Sequence, residues 1–316
     1  MNLEAVAHAL GQDYARFGLR RDAGAPEAFL VGHDSYSGRS ERADYFTRKW
    51  LGLRLNALRR GLVLDEGVSP AVLRAMTGER CPVSLRPFDI ERRGRASNPS
   101  LDRVINDGTY ALGNLVMISQ RINRAKGELS FEDVVDIAES GETIDEVEQT
   151  EWMRLASLMY GAWNAQRGGS DPYLVPLATY PPPFLFTPPS QAIQWLLLRA
   201  ISGARLTVGR QFWLSLTERA VGSAKLFEVL AAHLEKGAEK ESYLPSVWLD
   251  LEVFEAFEAW YRACRNEVDA TLVELRPSDS LSESDVAFWV ERWHLGRRQV
   301  HEGDGTLSLE GDEVTR

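Results

Sequence analysis

The stretch SLDRVINDGTYALGNLVMISQRINRAKG, residues 100–127, decides which fold the chain contains. Residues 100–105 and 114–118 predict two short strands, and the Asn-Asp-Gly turn at 106–108 predicts that they pair as an antiparallel hairpin. The run 119–126 begins with a serine and is followed by a glycine, which predicts a helix. The stretch is therefore typical of a β-hairpin that continues directly into a short helix.

The segments on either side are predicted to be helical. Upstream we expect a helix within residues 1–21, a turn-rich stretch at 22–38 and a short helix that starts at Ser69-Pro70. The sequence DYFTRKWLGLRLNALRRG, residues 44–61, predicts an amphipathic helix with a basic face. Downstream, the capping-box order that begins at Ser130 predicts a helix to about Ser140.

Beyond Gly141 the pattern is helical and acidic. Residues 171–190 hold seven prolines among twenty residues, which indicates an extended linker or a loop laid over a surface. Their aromatic side chains favour packing. Helices are predicted at 144–166, 191–202, 209–221, 224–235, 246–268 and 283–298, with tryptophans at core spacing.

These elements predict a mostly helical α+β protein. We expect an N-terminal helical segment with a basic approach helix (1–75), a hairpin–helix module (76–141), an acidic all-helical domain (142–300) and a disordered acidic tail (301–316).

Charge divides the chain in the same way. Residues 39–126 contain 17 Lys and Arg against 9 Asp and Glu, and the rest contains 19 against 37, which makes up the net charge of −10. A basic segment of this size is the pattern expected of a nucleic-acid surface, although two solvated surfaces that neutralise each other explain it as well.

The composition also excludes some classes of site. Two cysteines cannot form a four-cysteine zinc site, so no structural zinc is expected, and few cysteines fit a reducing, cytoplasmic compartment. The sequence shows no membrane span and no export signal.

The order of polar residues in the deciding stretch resembles the phage-type HNH (ββα-metal, or His-Me finger) endonuclease family. The similar motifs are Leu101-Asp102-Arg103, Gly108 with Tyr110, Gly113-Asn114-Leu115, and Asn123 with Lys126. Including the basic helix upstream, the Cys-Pro-Val sequence at 81–83 and the Ser-Phe-Glu sequence at 130–132, the resemblance covers about residues 46–139.

The resemblance implies a role for each of these residues. Asp102 and Asn123 would hold a divalent metal, Mg²⁺ or Mn²⁺, and Asn114 would be the orienting residue. Arg103 stands where the family has its catalytic histidine. Arginine stays protonated and cannot accept a proton from water, but it can bind a phosphate or stabilise a charged transition state. A base would come from elsewhere, with His33 as the nearest upstream candidate, or metal-bound water would need none, or the site would bind without cutting.

Eleven of the basic residues in this segment are the candidate nucleic-acid contacts. They are Arg48, Lys49, Arg54, Arg59, Arg60, Arg92, Arg93, Arg95, Arg121, Arg124 and Lys126.

We therefore expect a DNA-directed, metal-dependent endonuclease from a phage, mobile-element or anti-phage defence context. The alternative is a catalytically degenerate protein that binds nucleic acid or a protein partner. In a third interpretation, the acidic helical domain mimics DNA.

Overall fold

The computed structural model of the chain describes residues 2–62, 64–92, 94–108, 110–167, 173–202 and 223–274. In this part the protein is mostly helical with one small antiparallel sheet. Before the sheet lie α1 (Leu3–Arg16), α2 (Glu27–Ser35), α3 (Tyr45–Arg59) and α4 (Pro70–Met76). The central unit comprises β1 (Pro99–Arg103), β2 (Leu115–Ser119), α5 (Gln120–Lys126) and α6 (Phe131–Ser140). The C-terminal helices are α7 (Gln149–Gln166), α8 (Pro189–Ser202), α9 (Ala224–Ala238), a 3₁₀ helix (Leu244–Leu249) and α10 (Leu251–Glu274).

The N-terminal helices share a small core. Leu10 of α1, Phe29 of α2 and Leu51 of α3 are fully buried in one cluster. The α1–α2 contact is close because Gly11 has no side chain: a Cβ there would lie 2.0 Å from the Phe29 carbonyl oxygen. We expected residues 22–38 to be rich in turns. The structure instead has a helix within them, because α2 begins directly after Pro26.

The central unit is the hairpin and helix that the sequence predicts. β1 and β2 pair antiparallel, with Asp102 opposite Val116 and Arg103 opposite Leu115. Ser119 caps α5 by accepting a hydrogen bond from the Ile122 amide, and Gly127 ends that helix. Both strands are shifted from the predicted bounds: β1 is Pro99–Arg103 instead of 100–105, and β2 is Leu115–Ser119 instead of 114–118.

The proline-rich segment packs against the central unit. Leu185 and Phe186 are buried, and the Phe186 amide donates to the Gly113 carbonyl at 3.2 Å. The segment also lies close to α7, because a Cβ on Gly161 would be 1.9 Å from the Phe186 carbonyl oxygen. The prolines therefore form a packed surface loop, which was one of the two predicted alternatives.

The C-terminal helices surround an aromatic core. Trp248, Phe257 and Trp260 are almost fully buried together with Leu196 of α8 and Leu230 of α9. Tryptophans at core spacing were expected here. The predicted helix 246–268 is a 3₁₀ turn followed by α10, and the predicted helices 209–221 and 283–298 and the tail 301–316 lie outside the described residues. Among the described helices, none is long and apolar enough to cross a membrane.

Candidate functional site

The face of the hairpin that meets α5 carries the first of the predicted metal ligands. Side chains two apart on a strand share a face, and side chains three apart on a helix share a face. Ser100 and Asp102 of β1 therefore face Asn123 and Lys126 of α5. The contacts run in register, with Asn123 against Ser100 and Lys126 against Asp102.

Asp102 forms a buried ion pair with Lys126. Asp102 is 7% exposed and Lys126 is 0% exposed. The ammonium nitrogen of Lys126 lies 3.4 Å from Oδ1 and 3.2 Å from Oδ2 of Asp102. It also donates to the Arg103 carbonyl at 2.9 Å and to Asn106 Oδ1 at 2.8 Å. An ammonium group surrounded by four oxygen atoms from the strand and the loop is well satisfied, as a buried charge must be.

The carboxyl of Asp102 has an unusual protonation equilibrium. Burial raises the pKa of Asp102 to about 6, although the nearby Lys126 ammonium lowers it. Desolvation disfavours the charged carboxylate, and the opposite charge restores only part of that loss.

Asn123, the second predicted ligand, points to a different partner. Its amide nitrogen donates to Ser100 Oγ at 2.7 Å, and its side chain makes no hydrogen bond with Asp102. The described residues contain no group of three or more His, Cys, Asp or Glu side chains that could hold a metal ion. Asp102 Oδ2 is buried and accepts no hydrogen bond from a described residue, but the Lys126 ammonium lies 3.2 Å from it and the Asn123 side chain is turned to Ser100. In this arrangement the residues do not fit the divalent metal that the HNH resemblance implies.

Arg103 lies on the opposite face of β1. Its guanidinium carbon is 4.7 Å from the centre of the Tyr110 ring, and its Nη1 donates to the Gly108 carbonyl at 2.9 Å. Arg60, which follows α3, donates from Nη1 to the Tyr110 hydroxyl at 3.4 Å. A cation over an aromatic face and a carbonyl acceptor hold the guanidinium in place. Arg103 is therefore fixed by the loop and does not enter the space between β1 and α5.

Asn114 holds the loop that follows β1. Its Oδ1 accepts from the Ile105 amide at 2.8 Å and its Nδ2 donates to the Ile105 carbonyl at 3.1 Å. Gly108 lies close to this side chain, since a Cβ there would be 2.5 Å from Asn114 Nδ2. Asn114 thus orients the backbone beyond Arg103.

Several predicted nucleic-acid contacts are used inside the protein. Lys49 donates to the Pro99 carbonyl at 2.9 Å, and burial lowers its pKa. Arg54 pairs with Asp13 at 2.5 Å and Arg59 pairs with Asp22 at 2.5 Å. These contacts attach the basic face of α3 to β1 and to the N-terminal helices.

Two residues of α5 are also engaged. Arg121 pairs with the buried Glu151 of α7, with 3.1 Å between Nη1 and Oε2, and it donates to the Glu146 carbonyl at 2.5 Å. Lys126 is enclosed beside Asp102, as described above. These side chains are structural in this arrangement.

Other basic side chains remain on the surface. Arg92, Arg95 and Arg124 are exposed and form no ion pair with a described residue. The Gln120 amide joins two of them when it is assigned the orientation that satisfies both its atoms: it then donates to the Arg95 carbonyl at 3.0 Å and accepts from Arg124 Nη2 at 3.1 Å. We call Arg92, Arg95 and Arg124 the basic loop patch. Arg48 is exposed on α3, and Arg93 lies outside the described residues.

The loop that carries the patch is well organised. Asp89 Oδ1 accepts from the Glu91 and Arg92 amides, each at 3.0 Å. Asn98 Oδ1 accepts from the Arg95 amide at 2.8 Å, and its Nδ2 donates to the Asp89 carbonyl at 2.5 Å. The described residues on either side of Arg93 therefore present Arg92 and Arg95 from a hydrogen-bonded backbone.

His33, the candidate base, lies away from the hairpin. It sits on α2, where Nε2 is 3.1 Å from the Leu19 carbonyl oxygen and Nδ1 is 3.5 Å from the Asp34 carboxylate. No contact brings it to Asp102 or Arg103.

Sequence reasoning missed the side chains that decide this geometry. Ser100, Asn106 and Tyr110 received no role beyond the motif, although each partners a predicted site residue. The two-residue spacing of Ser100 and Asp102 and the three-residue spacing of Asn123 and Lys126 were the available signal.

Comparisons with family models, with curated proteins and with solved structures find no match to this chain. The HNH resemblance thus remains a prediction from the motif residues.

Proposed function

We propose that the chain is a DNA-binding protein in which an HNH-like hairpin–helix unit contacts the phosphate backbone and does not cleave it. The basic loop patch carries this proposal. Its three arginines are exposed, lie on one loop and the adjoining helix, and have no carboxylate partner among the described residues. Each guanidinium that neutralises a phosphate releases counterions, which drives binding without sequence readout.

The organised loop supports binding further. Asp89 and Asn98 fix the backbone before DNA arrives. A preformed surface loses less conformational entropy on association than a mobile one, so more of the electrostatic attraction is retained as affinity.

Two observations favour binding over cleavage. The carboxylate that would hold a metal is buried with Lys126, and the residue in the general-base position is an arginine fixed on Tyr110. Arginine does not act as a base in proteins.

The second candidate is a divalent-metal-dependent endonuclease. The order of Asp102, Asn114 and Asn123 along a hairpin and the following helix favours it, since this is the placement that the family resemblance assigns. It requires the Lys126 ammonium to leave the Asp102 carboxylate, so we place it second.

A supercoiled-plasmid experiment separates the two. The full chain is incubated with plasmid in Mg²⁺, in Mn²⁺ and in EDTA, beside Asp102→Ala and Asn123→Ala variants. We expect a salt-sensitive gel shift in all three conditions, with the plasmid still supercoiled. Metal-dependent nicking that both variants lose while they still shift the plasmid would establish the endonuclease. If the protein neither shifts nor nicks the plasmid, the DNA-binding proposal is wrong, and the acidic interaction protein becomes the better interpretation.

A further inference from the structure

An open cavity of about 550 Å³ lies between residues 79–85, which precede β1, and residues of the proline-rich segment and of the turn before the 3₁₀ helix. One wall contains Glu79, Arg80 and Leu85, and the other contains Tyr180 and Tyr243. Its size lies within the range of about 300–1,000 Å³ that small-molecule sites occupy. None of these residues belongs to the basic loop patch or to the Asp102 pair.

The tyrosine wall is held in a fixed geometry. The Tyr243 hydroxyl lies 2.8 Å from Thr179 Oγ1 and accepts from the Tyr180 amide at 3.1 Å. The Tyr180 ring packs edge-on against Tyr243, with centroids 5.2 Å apart and an interplanar angle of 78°. Tyr180 remains 39% exposed. Tyr180 also packs edge-on against Trp195, and the Arg154 guanidinium carbon lies 5.6 Å from the centre of the Tyr243 ring. Tyr180 is therefore the ring on which a planar ligand can stack.

The opposite wall carries one charge of each sign. Arg80 Nη1 donates to the Leu85 carbonyl at 3.1 Å, which leaves its other N–H groups for a ligand. The Glu79 carboxylate makes no hydrogen bond or ion pair with a described residue. Leu85 adopts the left-handed region, with φ of 57°, in a turn that is closed by a hydrogen bond from its amide to the Cys81 carbonyl at 2.9 Å.

We propose that this cavity binds a nucleobase together with its 5′ phosphate. The base stacks on Tyr180, Arg80 pairs with the phosphate, and Glu79 accepts a hydrogen bond from an exocyclic amino group. Adenine, cytosine and guanine have such a group, and thymine does not. The ligand is either a free mononucleotide or an unstacked base of a single strand. This inference does not rest on the proposed DNA binding through the basic loop patch.

Calorimetric titration of the full chain with dAMP, dCMP, dGMP and dTMP tests the free nucleotide. A fluorescently labelled single-stranded oligonucleotide tests the strand. Tyr180→Ala should lower the affinity for whichever probe binds by about 5- to 100-fold, as expected for loss of one stacking partner. Tyr173→Ala is the matched control, because Tyr173 is an exposed tyrosine of the same segment, at 65% exposure, that does not line the cavity.

The two probes distinguish three outcomes. If a mononucleotide binds and Tyr180→Ala weakens it, the cavity is a nucleotide site. If only the oligonucleotide depends on Tyr180, the cavity takes a base from a strand. If neither probe distinguishes Tyr180→Ala from Tyr173→Ala, the proposal is overturned. Because Tyr180 also packs on its neighbours, Arg80→Gln serves as a second variant. It should weaken the binding of dAMP, which carries a phosphate, more than the binding of deoxyadenosine, which carries none.

Discussion

Replacement of Lys126 by methionine removes the cation that faces Asp102 and leaves most of the side-chain volume in place. The ammonium contacts the Asp102 carboxylate, the Arg103 carbonyl and Asn106 Oδ1, and it is fully buried. Breaking a buried ion pair by removing one partner costs about 3–5 kcal/mol, because the other charge stays buried without compensation. We therefore expect Lys126→Met to lower the free energy of unfolding by about that amount near pH 8.

The loss should depend on pH in a defined direction. Burial raises the pKa of Asp102 to about 6, and removal of Lys126 raises it further. A carboxyl whose folded pKa lies above its unfolded value of about 3.9 stabilises the fold most when it is protonated. Its contribution is present at low pH and is lost as pH rises through the folded pKa. The deficit of Lys126→Met should therefore shrink as pH falls from about 8 to 5.

Urea unfolding at both pH values measures this deficit. The double variant Asp102→Leu/Lys126→Met is the matched control, since replacing both partners by apolar residues is often neutral or stabilising. It should recover most of the loss near pH 8. A single variant as stable as the unmodified chain at pH 8, or a deficit of equal size at both pH values, would refute the buried pair.

Two further predictions concern other elements. Gly161→Ala should lower the midpoint of thermal unfolding, because the new Cβ would lie 1.9 Å from the Phe186 carbonyl oxygen and overpacking costs about 1–3 kcal/mol or more. Gly52→Ala is the control, since a Cβ at that helical position has no atom of the described residues within 4 Å, and it should leave the midpoint unchanged. Asp44 caps α3 by accepting from the Thr47 amide at 2.7 Å, which lowers the pKa of Asp44. Asp44→Ala should therefore lower the free energy of unfolding by about 1 kcal/mol above pH 4, and by less as pH falls through that lowered pKa. Asp44→Asn keeps the cap and is the control. Denaturant unfolding across pH measures both variants, and equal stabilities of the Ala and Asn variants would contradict the prediction.

Local sequence signals located much of the central unit. Serine at 119 and at 130 accepts hydrogen bonds from the first helical turn in each case, and glycine follows each helix at 127 and 141. Capping depends on a few neighbouring residues, so one sequence suffices to predict it. α2 was missed because Gly24 and Pro26 mark a turn, while Pro26 also suits the position before a helix.

The candidate site was harder to predict because its geometry depends on register between elements. A lysine on a short helix is usually exposed, and Lys126 was expected to face phosphates. Its burial follows from α5 packing on β1, which brings the Lys126 ammonium to Asp102. The same packing pairs Asn123 with Ser100. Residue types identified the participants, but only the tertiary arrangement decides which of them meet.

The cavity could not be predicted from the sequence for the same reason. Glu79 and Arg80 are about one hundred and sixty residues from Tyr243 along the chain, and no motif links them. Long-range proximity of this kind has no periodic signal in one sequence.

The salt dependence of duplex DNA binding measures how many phosphates the basic loop patch contacts. Affinity is measured across a range of salt concentrations for the unmodified chain and for the variant with Arg92, Arg95 and Arg124 all changed to glutamine. Each lost phosphate contact lowers the slope of log affinity against log salt by about 0.9. We predict a slope shallower by about 2 to 3 in the triple variant and an unchanged slope in Arg59→Gln, whose guanidinium is paired with Asp22. Equal slopes and affinities for the triple variant and the unmodified chain would contradict the account.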